Sequence, residues 1–532
     1  MKLLRAALLA TALSVAVAPA AGLAETPPGV LVVAQNIDDI VAIDPAQAYE
    51  FTSGELVTNV YDRLVQYDAE DTTALAPGLA TEWEIDEENK AITFTLRDGA
   101  TFHSGNPVRP EDVVFSFKRV IDLNLTPAFI LAQLGWTPEN IEEMVTVEGD
   151  NTVTVRYDGD FSSNFVLNVI AARPASIVDE VTVMANAVDG DMGNAWLNSN
   201  SAGSGPFVLA DYRPAEIIRL NANPDYFKDG PNVESVIIRH VAEAATQQLL
   251  LESGDVDMAR NLTPDQIASI DSDDIKVETF PQAAVHFLSF NQKSEELQPE
   301  ALWEASRYLV DYEGMTSTFL NGQMEIHQAF WPEGFPGALT DTPFTYDPAR
   351  AEEILKEAGI ETPIDVTLDV INAAPFTDMA QSLQATFAEA GINFEIIPGT
   401  GAQVITKYRD RTHEAMLLYW GPDFMDPHSN AKAFAYNSDN SDDNYQATTT
   451  WRNAWAVPDD MNEMTMAALA ESDPETRNQM YLELQERVQE NSPIVIMFQA
   501  AYQVAMDDDV EGYVNGATSD FVFYRLVTKD GE

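Results

Sequence analysis

Residues 77–117 of this 532-residue chain read PGLATEWEIDEENKAITFTLRDGATFHSGNPVRPEDVVFSF. From Ala91 to Arg97 apolar and polar residues alternate, which predicts a half-buried strand, and Asp98-Gly99 then predicts a tight turn. Pro110 suits the first position of a helix. Apolar residues recur behind it at helical spacing, at Val113, Val114, Phe117 and Ile121. A strand followed closely by a helix points to a mixed α/β fold.

The same pattern recurs in the second half of the chain. Asp347 can cap a helix that Pro348 begins and Gly359 ends. The apolar stripe of this helix consists of Ala351, Ile354, Leu355 and Ala358. Residues 364–371 then predict a strand, 377–390 a helix and 393–397 a second strand. This spacing predicts a βαβ unit.

The first 24 residues predict a secretory signal peptide. Lys2 and Arg5 give a basic start, residues 6–17 form an apolar run, and Gly22 and Ala24 are the small residues before a cut after Ala24. An uncleaved anchor is the alternative, although the run is shorter than the roughly 18 residues that span a bilayer. Cleavage removes two positive and no negative charges, so the mature chain carries a net charge of −59. We therefore expect an exported, periplasmic protein.

Composition excludes several classes of function. The 45% apolar and 9% aromatic residues supply the cores of two or three lobes, which excludes a disordered or fibrous chain. Lys and Arg number 29 against 86 Asp and Glu, and the resulting charge of −57 repels nucleic acid and anionic lipid. The chain has no cysteine, which excludes disulfides, thiolate metal sites, cysteine nucleophiles and a lipidated N-terminal Cys.

Enzyme motifs are missing from the sequence. It contains no Gly-x-Ser-x-Gly, and residues 399–404 (GTGAQV) lack the third glycine of a dinucleotide-binding loop. His413-Glu414 begins a metalloprotease motif, but Leu417 occupies the place of its second histidine. Residues 437–444 resemble a calcium loop in composition alone, because the required Gly and closing Glu are absent. No catalytic residue, cofactor or metal ligand is predicted.

Several segments together resemble one family, the large periplasmic solute-binding proteins of ABC importers, which include dipeptide- and oligopeptide-binding proteins. The most specific are residues 77–84 (PGLATEWE), 94–105 (FTLRDGATFHSG) and 111–117 (EDVVFSF). Weaker matches follow at residues 203–207 (GSGPF), 223–227 (NPDYF), 254–257 (GDVD), 288–291 (LSFN) and 346–359. The resemblance spans the whole mature chain.

This resemblance implies an α/β fold of two lobes that close on a ligand about a hinge, of the type II kind, with an extra small subdomain in the first lobe. The expected domains are lobe I at 25–284 with its subdomain at about 60–190, lobe II at 285–503, and a return to lobe I at 504–532. Phe287–Asn291 and Ile494–Phe498 are apolar and would cross between the lobes. From their composition alone, both could equally be ordinary core strands.

The resemblance also nominates a binding site in residues 419–427 (YWGPDFMDP). In the peptide-binding members a matching Trp-x-x-Asp pairs its acid with the α-ammonium group of the ligand, which assigns this role to Asp423 and a wall or cation-π role to Trp420. The alternative is that Asp423 caps a turn and Trp420 fills the core. Asp426, before Pro427, is interpreted as a turn former.

A second wall is expected in the loop after Asp44-Pro45, where Tyr49 and Phe51 offer apolar area with a polar tip. Phe498, on the returning segment, is a further candidate. All three could instead pack within their own lobe. Lone histidines on apolar segments, His286 and His327, are interpreted as structural residues rather than nickel or haem ligands, and an ion pair or cap is expected of Arg307.

The sequence thus predicts a solute receptor and not an enzyme. Its expected partners are a short peptide or other amine-bearing ligand and an inner-membrane ABC permease with cytoplasmic ATPase subunits. A monomer without cofactor and without nucleic acid is expected. An opine, oligosaccharide or metal chelate is the alternative ligand, since one scaffold can carry many ligands. A secreted hydrolase and a structural envelope protein are the alternatives from other classes.

Overall fold

The computed structural model describes residues 26–446, 448–516, 518 and 521–529. The predicted signal peptide lies outside these residues. Strands and helices alternate along the described chain, as the mixed patterns predict. Within the same ranges, no helix has the length and apolar character needed to cross a membrane.

The strands of the described ranges fall into one large sheet and several small ones. In chain order they are β1 (Val30–Gln35), β2 (Val65–Asp68), β3 (Asp71–Pro77), β4 (Ala80–Asp86), β5 (Ala91–Leu96), β6 (Val145–Gly149), β7 (Thr152–Arg156), β8 (Phe207–Arg213), β9 (Ile217–Ala222), β10 (Ser235–His240), β11 (Met258–Ala259), β12 (Ile275–Phe290), β13 (Met324–Ile326), β14 (Ile364–Ile371), β15 (Ile392–Gly399), β16 (Ala415–Trp420), β17 (Ile494–Asp507), β18 (Val510–Glu511), β19 (Val514–Asn515), β20 (Val522–Phe523) and β21 (Thr528–Lys529).

Helices pack around these sheets. In chain order they are α1 (Phe51–Val60), α2 (Pro110–Leu123), α3 (Ala128–Ala132), α4 (Ile141–Met144), α5 (Ser163–Ile170), α6 (Glu180–Ala185), α7 (Asn194–Leu197), α8 (Ala244–Glu252), α9 (Pro264–Ser269), α10 (Glu300–Arg307), α11 (Tyr312–Thr316), α12 (Pro348–Glu357), α13 (Phe376–Glu389), α14 (Gly401–Arg409), α15 (Pro427–Phe434), α16 (Thr449–Arg452), α17 (Asp459–Ala470) and α18 (Pro474–Asn491). Short 3₁₀ turns occupy Arg173–Ala175 and Glu295–Leu297.

The elements predicted from local pattern are confirmed. β5 and α2 form where the alternation after Ala91 and the helical spacing after Pro110 predict them, and Val113, Phe117 and Ile121 of α2 are buried. The Asp347 side chain accepts a hydrogen bond of 3.0 Å from the Arg350 backbone N–H and so caps α12. β14, α13 and β15 form the βαβ unit, with β14 and β15 parallel.

The large sheet runs through both halves of the molecule in the order β15-β14-β16-β12-β17-β11-β1-β10-β9-β8, and β13 also pairs with β17. The long strands β12 and β17 are antiparallel and stand between the two halves of this sheet, with β15-β14-β16 on one side and β11-β1-β10-β9-β8 on the other. Their pairing is interrupted between Pro281 and Val285. The two predicted crossing segments, Phe287–Asn291 and Ile494–Phe498, lie beyond this interruption and pair with each other.

A separate four-stranded sheet in the order β4-β5-β7-β6 lies in the N-terminal part of the chain. Its core continues into the C-terminal half of the molecule, where Phe165 of α5 meets Phe424 edge to face at 5.4 Å. A backbone hydrogen bond of 2.8 Å from Ser162 to Leu469 joins the same two parts. These contacts hold the four-stranded part of the molecule against the C-terminal half.

Candidate ligand-binding cavity

A cavity of about 630 Å³ lies where the β12–β17 interruption, the start of α1 and the segment after β16 meet. Its lining combines small residues of the two crossing strands with aromatic side chains and a few charged groups. The charged residues are Asp39, Glu50, Arg173 and Asp423. Mostly apolar walls with a few polar groups are the usual composition of a small-molecule site.

Asp423 stands in the loop that follows β16. Its backbone N–H donates a hydrogen bond of 3.0 Å to Ser429 Oγ, which fixes the loop. Its carboxylate lines the cavity and accepts a hydrogen bond of 3.2 Å from the Tyr49 hydroxyl. Burial raises the pKa of Asp423 above its usual range, while the Tyr49 hydrogen bond and the Arg173 charge oppose this rise. A cationic ligand group could compensate such a carboxylate.

Tyr49 and Phe51 form the opposite wall. Their side chains are 38% and 53% exposed, and the Tyr49 ring meets Phe129 edge-on at 6.2 Å. Arg173 donates hydrogen bonds to the carbonyl oxygens of Glu50 at 3.2 Å and Tyr49 at 3.4 Å. This guanidinium therefore holds the backbone that carries Tyr49 toward Asp423.

Tyr419, and not Trp420, lines the cavity from β16. Neighbouring residues of a strand point to opposite faces, and here Trp420 turns toward the core and packs edge-on against Phe434 at 6.2 Å. The Tyr419 side chain is 47% exposed, stacks on His286 at 5.7 Å and meets Phe376 at a tilt at 5.9 Å. Sequence reasoning missed Tyr419, although strand alternation could have identified it once Trp420 was assigned to the core.

The comparisons with known proteins agree with this architecture. Residues 74–442 match the model of the bacterial extracellular solute-binding proteins, family 5. The chain belongs to this family.

Curated relatives of this solute-binding protein extend over nearly its whole length. A probable D,D-dipeptide-binding periplasmic protein of Escherichia coli is 26% identical over 505 residues, which are 94% of each chain. The dipeptide-binding protein of Pseudomonas aeruginosa is 25% identical over 91% of this chain and 92% of its own. Among solved structures, the HbpA2 protein of Haemophilus parasuis matches with a TM-score of 0.79 at 21% identity, over 94% of this chain and all of the other. Such structures are two-lobed periplasmic binding proteins, and this chain has their fold.

Phe498 lies outside the cavity lining of this solute-binding protein. Its side chain is fully buried in β17 and meets Tyr312 edge-on at 6.0 Å. The sequence does not show to which face of the strand the Phe498 side chain points, because residues 494–499 are buried on both faces. The structure therefore brings together Tyr49, Phe51 and Asp423, and it places Phe498 in the core and the partly buried Trp420 against the core.

Asp426, unlike Asp423, is not among the residues that line the cavity. Its side chain caps α15 through a hydrogen bond of 2.9 Å from the His428 N–H, and it forms a buried ion pair of 2.8 Å with Arg477. The interpretation of Asp426 as a structural turn residue agrees with this position, and the structure adds the helix cap and the ion pair.

The histidines and arginine singled out in the sequence are buried as well. Burial lowers the pKa of His286 and of His327 to about 4, so both are neutral near pH 7. Arg307 donates to the carbonyl oxygens of Gln489 at 2.6 Å and Ser492 at 2.7 Å, which caps the C-terminus of α18. In the described part of the chain, no group of three or more His, Asp or Glu side chains could hold a metal ion.

Proposed function

We propose that this protein is the periplasmic substrate-binding component of an ABC importer, which captures a short peptide or other amine-bearing solute. It would deliver this ligand to an inner-membrane permease driven by cytoplasmic ATPase subunits. Family membership supports the receptor role, and the dipeptide-binding relatives support the ligand class.

The observation that carries the ligand class is the position of Asp423. Its half-buried carboxylate lines the cavity, and in the described structure its side chain has one hydrogen-bond partner, the neutral Tyr49 hydroxyl. Arg173 acts on this carboxylate through its charge but gives it no hydrogen bond in the described structure, and a ligand ammonium would supply a positive charge in direct contact together with hydrogen-bond donors. Tyr49, Phe51 and Tyr419 would contact the apolar parts of such a ligand.

The receptor works by binding and closure and performs no catalysis. We place lobe I at residues 25–284 and 504–532, its subdomain at about 60–190, and lobe II at 285–503. The hinge then falls at the interruption between Pro281 and Val285 and on the facing part of β17. We further propose that the mature protein is a monomer, exported by means of residues 1–24.

A ligand screen tests the ligand class. The mature protein is first freed of copurified solute, which mass spectrometry identifies, and is then challenged with dipeptides and their N-acetylated forms in thermal-shift and calorimetric assays. A true ligand at a hundredfold excess over its Kd should stabilise the protein by about 2.7 kcal/mol, and N-acetylation should abolish the effect. Binding of sugars or of N-acetylated peptides in place of free amines would contradict the proposal.

A further inference from the structure

We infer that the cavity selects a ligand of net positive charge, whose ammonium lies at Asp423 and whose far end lies near Asp39. This inference rests on the proposed function, because it defines the ligand class of the same cavity more narrowly. A zwitterionic dipeptide would be a poor ligand. A peptide with a basic side chain, or one whose carboxyl group is masked, would be a good one.

The charged groups of the lining carry the first step. Asp39, Glu50 and Asp423 are acidic, and Arg173 is the one basic residue among the lining residues that the structure describes. The cavity is therefore net negative within a chain of charge −57. A ligand carboxylate that enters it is repelled by these three carboxylates.

Arg173 is already engaged by the protein. Its two terminal nitrogens donate to the carbonyl oxygens of Glu50 and Tyr49, at 3.2 and 3.4 Å. At least two of its five N–H donors are used in this way, so turning both terminal nitrogens toward a ligand carboxylate would lengthen these hydrogen bonds and loosen the segment that carries Tyr49. Arg173 is thus a positioning residue for the cavity wall.

An adjoining cavity of about 270 Å³ shows where a second positive charge would lie. It shares Asp39, Phe51 and Tyr502 with the main cavity. The buried charges at its base neutralise each other, since Arg260 and Glu55 form an ion pair of 2.8 Å. Asp39 has no ion-pair partner among the described residues, and its one hydrogen bond there, of 3.3 Å, comes from the Thr52 N–H.

The shared aromatic residues suit the stem of a basic side chain. Phe51 is half exposed between the two cavities, and the Tyr502 ring also faces both. A lysine or arginine stem can lie along such rings while its charged head reaches a carboxylate. Asp39 is therefore the specificity-determining residue in this inference.

Three dipeptides of matched size test it: Ala-Leu, Ala-Leu amide and Ala-Lys. Calorimetry on the mature protein should show Ala-Leu amide and Ala-Lys binding about tenfold or more tightly than Ala-Leu, the equivalent of about 1.4 kcal/mol. The advantage should shrink in 0.5 M sodium chloride, which a steric preference would not do.

Two variants that each remove one negative charge show whether the preference for Ala-Lys over Ala-Leu arises at Asp39. Asp39→Asn should reduce the preference for Ala-Lys over Ala-Leu to about threefold or less. Glu88→Gln, in the exposed turn between β4 and β5, removes the same charge outside the cavity and should leave the preference unchanged.

The outcomes separate this inference from the proposed function. Ala-Leu binding as tightly as its amide would overturn the inference, while an amine-dependent receptor would stand. An equal loss of preference in both variants would also overturn it, since overall charge and not Asp39 would then be responsible. Binding of none of the three peptides would overturn the inference and the short-peptide ligand class, while the receptor role, which family membership supports, would stand.

Discussion

The Tyr49 hydroxyl donates a hydrogen bond of 3.2 Å to Asp423 Oδ1, although 374 positions separate the two residues in the chain. The bond joins the loop before α1 to the loop after β16 across the cavity. In our proposal the ligand ammonium joins or replaces this hydroxyl at the carboxylate. Tyr49 and Asp423 then serve both as walls of the site and as a direct contact between the two lobes.

Asp423→Asn tests the carboxylate directly. The variant keeps the shape and most hydrogen bonds while deleting the charge, so affinity for the best dipeptide should fall by about 30-fold to several thousand-fold, or about 2 to 5 kcal/mol. The ligand-free variant should melt no lower than the parent, because burial disfavours the charge that it removes. Calorimetry and thermal melts measure both effects.

Asp426→Asn is the matched control, three residues away. It breaks the buried ion pair with Arg477, so the free energy of unfolding should fall by about 3 kcal/mol or more. Peptide affinity, extrapolated to fully folded protein, should change little. Affinity within about threefold of the parent in Asp423→Asn would assign Asp423 to a structural turn.

Ligand affinity should depend on pH through Asp423. Its pKa is raised by burial, so affinity should fall as the pH falls through that raised pKa, because protonation removes the ligand's partner. Tyr49→Phe deletes the hydrogen bond that lowers this pKa and should therefore move the acid limb to higher pH. Calorimetry across pH 4 to 7 on parent and variant measures the shift.

The stability of the ligand-free protein should change with pH in the opposite direction to ligand affinity. A folded-state pKa above the unfolded one means that the native state takes up the proton first. The Asp423 contribution to stability thus grows as the pH falls from the raised pKa toward the usual value of 3.8. Asp423→Asn should lose this contribution, and an acid limb of affinity that persists in that variant would show that another group titrates.

Local patterns predicted the elements well, since their causes are local. The alternation in β5, the cap at Asp347 and the βαβ unit from β14 to β15 depend on residues close in sequence. The order of the strands in the large sheet, in contrast, depends on residues far apart in sequence. β11 pairs with β17 through Met258 and Met506, and no pattern within either short segment specifies that partner.

The candidate site was predictable in part for a related reason. Asp423, Tyr49 and Phe51 line the cavity as expected. Trp420 and Phe498 do not, since each lies in an apolar strand whose sequence does not show which face meets the cavity. Whether Tyr419 or Trp420 faces outward depends on packing against Phe434, which is a tertiary contact.

Salt should stabilise this protein. A mature charge of −59 implies strong self-repulsion at low ionic strength, and the screening length falls to about 8 Å near physiological salt. The melting temperature should therefore rise as sodium chloride increases from a few millimolar to several hundred. Uncharged osmolyte at equal osmolality serves as the control. A flat melting temperature would mean that the acidic residues are too widely spaced to repel one another strongly.

Ligand binding should make the molecule more compact. The β12–β17 pair is the continuous connection between the halves of the large sheet, and its pairing breaks between Pro281 and Val285, where a hinge can bend. Phe165 packs against Phe424 and the Ser162 N–H donates to the Leu469 carbonyl, and we expect opening at this hinge to separate both contacts. Small-angle scattering on protein freed of solute should therefore give a larger radius of gyration than the same protein saturated with its peptide.

The N-acetylated peptide, which lacks the ammonium for Asp423, should leave the scattering of the free protein unchanged. Identical profiles with and without a peptide that calorimetry shows to bind would exclude a large closure, and binding would then occur in one fixed arrangement of the lobes.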